Sequence, residues 1–542
     1  MKTLKCIFCL YLAAIFGGFA QPAANGLPYL KKQGTATQLI VDGKPFLILG
    51  GELANSSASS LSYMDPIWPR LKAQNLNTVL APISWELLEP KEGAYDFALV
   101  DGLISAARRN NLKLVLLWFG SWKNTYSSYI PEWVKRDSER FPRVLLKNGR
   151  PTERLTPLSA SNSKADAKAF AALMKRLRAV DSEHTVLMIQ VENEIGVIPE
   201  ARDYSPEAQA AFGSPVPEQL MDYIRKHDET LEPELREAWV AAGKKTSGTW
   251  QEVFGATPLT DDFFMAWHYA TYLDAIVAGG KAGYNLPMFT NAALIRPNYL
   301  PGQYNSGGPL PHSADIYRAG APSLNFISPD IYFSNFAYWA GRYRKEGNPV
   351  FVPETYGGAE GAANAFFSFG GLDAIGFSPF GIDRPLLQEG AQPARSPLAA
   401  AYATLEHLAP KIGQYQGSER LAGFVMEGSE QRSGRISFGG YDITVNWAGV
   451  PGAQDSPNRR VGVLFIREGT DELLIAGNGS ATLSFSPDSG KQTAGIASID
   501  EEVLVDGKWI WQRRLNGDEN GQGQVLRLSS GAVVYKVRLY RY

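Results

Sequence analysis

Short runs of apolar residues recur along roughly the first 400 positions, and between them lie segments in which apolar residues return every three or four positions. The first pattern is typical of strands that are buried on both faces, and the second of helices with one buried face. A hairpin that turns at Asp42-Gly43 comes first. Eight strands are then predicted, at 46–51, 78–83, 112–119, 185–191, 286–291, 324–328, 349–352 and 374–378.

Helices are predicted between these strands, and the clearest are at 66–73, 97–109 and 163–180. The long segment after the fourth strand, which contains Trp239, Trp250 and Trp267, is predicted to be a polar insertion. Strands that alternate with crossover segments form a parallel sheet, and eight of them close into a barrel. The pattern therefore predicts an α/β protein in which residues 21–412 form a (β/α)8 TIM barrel with an N-terminal hairpin.

The pattern changes at about residue 413, where helix-length segments stop and apolar and polar residues begin to alternate. Gly, Asp and Asn separate these alternating segments, as they do at the turns of antiparallel sheets. Strands are predicted at 436–438, 443–447, 461–466 and 533–539. Residues 413–542 are therefore predicted to form a smaller all-β sandwich domain.

The N-terminal sequence indicates the cellular location of the protein. Lys2 and Lys5 precede an apolar run at 6–16 that is too short to span a bilayer, and small residues follow at 18 and 20. This order is typical of a secretory signal peptide, which we place at residues 1–20. Both cysteines of the chain lie within it, so the mature protein is expected to contain no thiol. We expect a periplasmic or secreted protein that is not held in a membrane.

The amino-acid composition limits the kinds of molecule that the protein is expected to bind. The chain has 53 Lys and Arg residues against 55 Asp and Glu, a net charge of -2, which gives no basic surplus for binding phosphates. A nucleic-acid partner is therefore not expected. The five histidines are scattered without the spacing of metal ligands, so we expect no metal and no other cofactor. The 12 Trp, 24 Tyr and 26 Phe residues suit a protein that stacks rings against sugars.

Two carboxylates follow predicted barrel strands. The fourth strand ends in the segment Gln-Val-Glu-Asn-Glu at 190–194, and the seventh ends at Glu354. Active sites of such barrels lie at the carboxyl ends of the strands, and glycoside hydrolysis requires one protonated and one ionised carboxyl group there. Glu194 and Glu354 fit these roles, although each alone could be an ordinary acidic residue. Glu192 is expected to share the face of Glu194 and to raise the pKa of one carboxyl group.

Five further residues are candidates for binding substrate. Trp118 and Trp122 could form a stacking wall at the barrel mouth, or could simply pack under a loop. Tyr332, after the sixth strand, could donate to the carboxylate of the seventh and hold it ionised, or could fill the barrel rim. Glu52 and Asn55, after the first strand, could bind sugar hydroxyls, or could belong to a capped turn.

Three motifs together carry a family resemblance. They are the segment at 190–194, the run Trp-Glu-Leu-Leu-Glu-Pro-Lys-Glu-Gly-Ala-Tyr-Asp-Phe at 85–97, and Glu354 followed by Tyr356. The combination resembles glycoside hydrolase family 35, the β-galactosidases of clan A, over roughly residues 38–385. It is most similar to a bacterial subgroup that has a C-terminal sandwich and is associated with plant cell-wall saccharides.

The resemblance implies roles for individual residues. It makes Glu194 the acid/base, Glu354 the nucleophile and Asn193 the donor to the sugar 2-hydroxyl, in a reaction that retains configuration and needs no metal. The galactose-binding segment that better-known members carry after the third strand is replaced here by residues 118–124. Only Asn124 matches a residue of that segment, so sugar recognition at this strand end is expected to be rebuilt.

The expected function is that of a retaining exo-β-galactosidase. Its substrate would be a carbohydrate, namely plant-derived oligosaccharides with terminal galactose, such as those of xyloglucan. One alternative is another clan A glycosidase, for example an endo-glucanase or a mannanase. A second is a carbohydrate-binding barrel without activity, against which the presence of both Glu194 and Glu354 argues. The oligomeric state is left open by the sequence.

Overall fold

A computed structural model describes residues 26–388, 390–428, 431–448, 460–529 and 531–542. The predicted signal peptide, residues 1–20, lies outside the described residues. Within the described ranges, no helix combines the length and the apolar character that crossing a membrane requires.

Eight parallel strands form a closed barrel. They are β1 (Ile48–Glu52), β2 (Thr78–Ser84), β3 (Lys113–Lys123), β4 (Val186–Asn193), β5 (Met288–Ala293), β6 (Phe326–Ile331), β7 (Phe351–Val352 and Glu354–Thr355) and β8 (Gly376–Phe377). Strand β7 is interrupted at Pro353, which has no N–H to donate. Its first half pairs with β8 and its second half with β6, so these two pairings close the ring. The predicted TIM barrel is thereby confirmed.

A helix follows each strand and covers the outside of the barrel. Several helices begin at serine caps; Ser159, for example, accepts from the backbone N–H of Asn162, and Ser396 from that of Ala399. The eight helices are α1 (Trp68–Ala73), α2 (Ala98–Arg109), α3 (Ala160–Val180), α4 (Pro258–Gly283), α5 (Ala314–Gly320), α6 (Phe336–Tyr343), α7 (Gly358–Gly371) and α8 (Pro397–Tyr415).

The segment after β4 is only partly the polar insertion that we expected. Its second half is α4, the longest helix among the described residues, which packs on α3 as a regular barrel helix. Trp239, Trp250 and Trp267 are all buried. The inserted part consists of four short helices: Pro206–Phe212, Glu218–Lys226, Pro233–Ala241 and Trp250–Phe254.

Smaller elements elsewhere are strands Tyr29–Gln33, Ala36–Val41, Lys44–Pro45, Arg143–Leu145 and Pro151–Leu155, α-helical turns Leu61–Met64, Trp85–Leu88 and Glu132–Arg136, and 3-10 turns Ser57–Ser59, Pro311–Ser313, Arg384–Leu387 and Pro393–Arg395.

Apolar side chains fill the inside of the barrel below its mouth. The rings of Phe289 and Phe326 stack with centroids 5.0 Å apart, and Phe351 meets Phe289 edge-on at 5.2 Å. Phe119 belongs to the same buried cluster. Because these rings leave the interior packed, polar side chains can converge only above them, at the carboxyl ends of the strands.

Two antiparallel sheets follow the barrel. Their strands appear where they were predicted and include Tyr441–Trp447, Val461–Arg467 and Val533–Arg541. In Val461–Arg467, Val463 and Phe465 enter the core between the sheets, whereas Leu464 and Ile466 join the barrel core. The six-stranded sheet is formed by Leu421–Met426, Val461–Arg467, Glu472–Asn478, Val533–Arg541, Ala494–Val505 and Lys508–Leu515, and the four-stranded sheet by Ser433–Phe438, Tyr441–Trp447, Ala481–Pro487 and Val525–Leu528, with a 3-10 turn at Gly517–Asn520.

The six-stranded sheet lies directly against α7, the helix that follows Glu354. Gly462 makes this close approach possible, because a Cβ atom there would overlap the carbonyl oxygen of Ala363. Gly423 also lies close to the backbone, at Gly371, where a Cβ atom would approach the backbone nitrogen to 2.4 Å. Strands Val461–Arg467 and Glu472–Asn478 of this sheet are therefore buried on both faces, and the contact with α7 helps to fix the helix behind β7.

Candidate active site

Strand β3 bulges at the point where it reaches the barrel mouth. Trp118 pairs with Val191 and Lys123 with Asn193, so six residues of β3 lie opposite only three residues of β4. The register assigns no partner in β4 to residues 119–122. The carboxylate of Glu192 accepts hydrogen bonds from the backbone N–H groups of Ser121 and Trp122, at 3.0 and 2.6 Å.

The backbone at the end of β4 is also irregular. Glu192 and Glu194 have φ values of +61° and +46°, a left-handed conformation that is uncommon for residues other than glycine. The backbone N–H of Glu194 is held by the Asn291 side chain at 3.0 Å. Consequently Glu192 does not share the face of Glu194, as regular strand alternation would require. It lies instead against Asp166 of α3, behind the strand end.

Three carboxyl groups meet at the barrel mouth. Glu194 follows β4, Asp330 lies near the end of β6, and Glu354 begins the second half of β7. One oxygen of each lies within 4.8 Å of the others, and all three side chains are buried. Within the described residues, this is the group of side chains that could share a cation.

Tyr332 contacts one of these carboxylates as expected. Its hydroxyl donates to Oε1 of Glu354 at 3.0 Å, whereas Oε2 of Glu354 is buried without a partner among the described residues. Burial and then the charge of Glu354 raise the pKa of Tyr332, so this hydroxyl keeps its proton and remains a donor. One oxygen of Glu354 is thus fixed and the other is free.

The buried carboxyl groups cannot all be ionised together. Burial, followed by the nearby charge of Glu354, raises the pKa of Glu194 to about 7. The same two causes raise the pKa values of Glu52 and Asp330 well above the ordinary range. At neutral pH the mouth therefore contains carboxyl groups that keep protons beside Glu354, which is the arrangement that acid catalysis requires.

Lys123 supplies a cation that the sequence analysis missed. Its Nζ donates to Oδ1 of Asn193 at 2.8 Å and lies 5.2 Å from the centre of the Phe119 ring. Burial lowers the pKa of this ammonium group, but the neighbouring carboxylates, led by Glu354, outweigh burial and raise the pKa overall. Asn124, the residue predicted from the family resemblance, is exposed, and only its backbone N–H contacts Asn193.

The prediction of a stacking wall formed by Trp118 and Trp122 is wrong. Both side chains have 0% exposed surface, so neither can meet a sugar. Trp118 donates to Asp166 at 2.9 Å, and Trp122 donates to the carbonyl oxygen of Leu155 at 3.1 Å. They are core residues that support the bulge, which was the alternative interpretation of the sequence.

The two candidates after β1 are placed differently. Glu52 is fully buried near Glu354 and Lys123, and neither of its oxygens has a partner among the described residues. Oδ1 of Asn55 is likewise unpartnered, at the edge of a cavity of about 270 Å³ beside the barrel mouth. The cap in this turn comes from Asp383, which accepts from Ala54 N–H, so the alternative role for Asn55 is not observed.

Comparisons with known proteins match separate parts of the chain. Residues 64–262 match the glycoside hydrolase family 42 profile, described as β-galactosidase. The similarity of this part of the chain is to β-galactosidases. The narrower resemblance to family 35 is not confirmed. The matched segment includes Asn193 and Glu194 but not Glu354, and residues 398–527 match a domain of unknown function, DUF5597.

Individual relatives are distant. The chain is 25% identical over 201 residues to β-galactosidase GalA of Bacillus licheniformis, covering 35% of this chain and 26% of GalA. It is 26% identical over 205 residues to a β-galactosidase of Xanthomonas manihotis, covering 36% of this chain and 31% of that protein. The chain thus matches less than a third of the length of either relative.

Two solved β-galactosidases are similar in structure. The enzyme from Bacillus circulans sp. alkalophilus has a TM-score of 0.49 at 12% identity, over 91% of this chain and 99% of that one. The cold-adapted enzyme from Rahnella sp. R3 has a TM-score of 0.48 at 18% identity, over 71% and 58%. Because both scores are below 0.5, the fold assignment rests on the strand order described above.

Proposed function

We propose that this protein is a retaining exo-β-galactosidase. The observation that carries the proposal is the pair of Glu194 and Glu354, which project from opposite strand ends with carboxylate oxygens within 4.8 Å. Carboxyl groups about 5 to 5.5 Å apart are typical of retaining glycosidases, because a wider gap is needed to admit the attacking water of an inverting enzyme. The similarity of residues 64–262 to β-galactosidases supports galactose as the sugar.

In the first step Glu354 attacks the anomeric carbon. Oε2 is the attacking atom because Oε1 is held by Tyr332, and Oε2 is free. Glu194, whose pKa is raised to about 7, donates its proton to the departing glycosidic oxygen. A covalent galactosyl-Glu354 ester forms and the aglycone leaves as an alcohol.

In the second step water cleaves that ester. Glu194 is now ionised and takes a proton from the water as it attacks the anomeric carbon from the side that the aglycone left. Glu354 is released as a carboxylate. Two displacements at one carbon restore the β configuration, so the first product is β-galactose.

Aryl β-glycosides test this proposal directly. We expect the β-galactoside to be cleaved faster than the β-glucoside and β-mannoside, and proton NMR to show β-galactose before mutarotation. Preference for another sugar would indicate a different clan A glycosidase, and α-galactose as the first product would overturn the pairing of Glu194 with Glu354. Binding of galactose without turnover would indicate a carbohydrate-binding barrel.

The natural substrate that we propose is a plant-derived oligosaccharide with terminal β-galactose. Xyloglucan oligosaccharides with and without that galactose make a matched pair. Mass spectrometry should show loss of one hexose from the first and no change in the second; internal cleavage of either would contradict the exo mode. We also propose secretion to the periplasm or beyond, which predicts a mature N-terminus at Gln21.

A further inference from the structure

Lys123 is an ammonium group that the barrel buries at its mouth. Only 5% of the residue is exposed, at the end of β3. Burying a charged group is unfavourable unless other charges and hydrogen bonds compensate for it. The largest compensation comes from Glu354, and the carboxyl groups of Glu194, Glu52 and Asp330 also face this ammonium group from three other strand ends.

The ammonium group does not touch these carboxylates. Among the described residues, Nζ makes one hydrogen bond, to Asn193, and no ion pair within 4.0 Å. An ammonium nitrogen carries three N–H donors, so two of them are not used. The ring of Phe119 lies 5.2 Å away on one side and that of Phe380 lies 5.9 Å away on another. The unused donors therefore lie among the four carboxyl groups that act on this ammonium charge.

Unpartnered polar atoms belong to the residues around this ammonium group. Nδ2 of Asn193, both oxygens of Glu52, Oδ1 of Asp330 and Oε2 of Glu354 are buried without partners among the described residues. Native proteins rarely leave buried polar atoms unsatisfied, and several around one point indicate a polar ligand. A ligand with hydroxyl groups on several sides, as a pyranose has, can accept from Lys123 and Asn193 and donate to the carboxylates.

We propose that Lys123 binds the sugar in the catalytic site and positions Asn193. Its two unused N–H groups donate to hydroxyl oxygens of the non-reducing sugar, and its bond to Oδ1 of Asn193 directs Nδ2 toward the same sugar. This inference rests on the proposed function. It assigns to a lysine the recognition at the third strand end, where Asn124 was predicted.

Binding without turnover tests the proposal. In the inactive Glu354→Gln background, galactose affinity is measured by calorimetry with and without Lys123→Met. A hydrogen bond from a charged donor predicts that Lys123→Met weakens binding about 10- to 100-fold. Lys281→Met is the matched control, because Lys281 is a part-buried lysine that bonds to Ser323 and Asn325 on the opposite end of the barrel. The control should bind as the background does.

Deoxygalactoses show whether the contact is direct. Removing each hydroxyl of galactose in turn should weaken binding to the Glu354→Gln background. For one or two positions, that loss should disappear once Lys123→Met is also present. If every loss is unchanged by Lys123→Met, the ammonium group does not contact the sugar and the proposal is overturned.

Thermal unfolding and the Arg variant separate binding from folding. Lys123→Arg keeps the charge but lengthens the side chain, so it should fold as the parent does and still lose at least tenfold in affinity. Unchanged affinity in a folded Lys123→Met or Lys123→Arg protein would overturn the proposal. If the Glu354→Gln background itself binds no galactose, then the proposed function fails first, which is a distinct result.

The pH profile gives a readout that a purely structural role would not move. The charge of Lys123 lowers the pKa of Glu194, which faces it together with the three other carboxyl groups and Tyr129. With Glu354 intact, Lys123→Met should therefore shift the basic limb of kcat/KM to higher pH. Lys123→Arg should leave that limb near its original place, and an unshifted limb in Lys123→Met would contradict the placement of the charge.

Discussion

Replacing Glu194 by alanine should impair the enzyme in proportion to the basicity of the leaving group. The structure buries this carboxyl group beside Glu354 and thereby raises its pKa to about 7. A group with that pKa is about 90% protonated at pH 6 and about 10% protonated at pH 8. The wild-type kcat/KM should therefore fall about tenfold for each pH unit above 8, because only the protonated form can donate to the departing oxygen.

The magnitude follows from the same role. General acid catalysis contributes about 10²- to 10⁴-fold when the leaving oxygen is basic and little when it is already a stable anion. For Glu194→Ala we expect kcat/KM to fall by an amount in this range with oligosaccharides or alkyl galactosides. With dinitrophenyl galactoside kcat/KM should fall less than about tenfold. The pH profile of kcat/KM for Glu194→Ala with the activated substrate should also lack the basic limb that wild type shows near pH 7.

The assay is steady-state kinetics with aryl galactosides of graded leaving-group pKa, measured from pH 5 to 9. Azide supplies a nucleophile that needs no base, so it should restore turnover of the activated substrate and yield β-galactosyl azide. Glu132→Ala is the control, since that side chain is 70% exposed on a surface helix. Equal losses across all leaving groups, or a basic limb that survives the substitution, would refute the assignment of Glu194 as the acid.

Three other predictions follow from the same contacts. Glu354→Gln should lower kcat at least about a thousandfold while the thermal unfolding midpoint stays near that of wild type, because only the attacking oxygen is lost. Gly462→Ala should lower the free energy of unfolding by about 1–3 kcal/mol, because the new Cβ atom overlaps the backbone of α7. Gly279→Ala is the control; its Cβ atom meets nothing within 4 Å, so the free energy of unfolding should rise by about 0.5–1 kcal/mol. Burial and then Asp166 raise the pKa of Glu192 well above 4.5. The protonated side chain therefore stabilises the fold fully below pH 4.5, and this contribution is lost as the pH rises. Glu192→Gln stays neutral but loses one acceptor, so it should be less stable than wild type at about pH 5, with a smaller difference at about pH 8. Denaturant or thermal unfolding checks the last two, and a difference that grows with pH would contradict the sign for Glu192.

The barrel could be predicted from sequence because its strands are continuous apolar runs. Each predicted strand overlaps an observed one, and most ends differ by one or two residues. Helix α4 was missed because it has no distinct polar face. Fourteen of its residues are buried, including the consecutive run Phe263 to Trp267, so its apolar positions do not repeat with the period of an amphipathic helix.

Side-chain directions at the strand ends could not be predicted, because they depend on backbone irregularities. Regular alternation would have placed Glu192 with Glu194 and left Trp118 and Trp122 at the mouth. The bulge in β3 and the left-handed residues of β4 break that alternation. Lys123 could have been noticed as the last residue before Asn124, but nothing in the sequence shows that it turns inward.

The buried acidic side chains at the strand ends divide into two sets by their hydrogen bonds rather than by their pKa values. Burial raises the pKa of both Glu192 and Glu52 well above the ordinary range. Each oxygen of Glu192 accepts a backbone N–H of the bulge, whereas neither oxygen of Glu52 has a partner among the described residues. A carboxyl group whose bonds are all made within the protein can stabilise the strand ends but has no capacity left for a ligand. Glu52 keeps that capacity beside Lys123 and Glu354, so its unused oxygens, and not its raised pKa alone, support the sugar site that we propose.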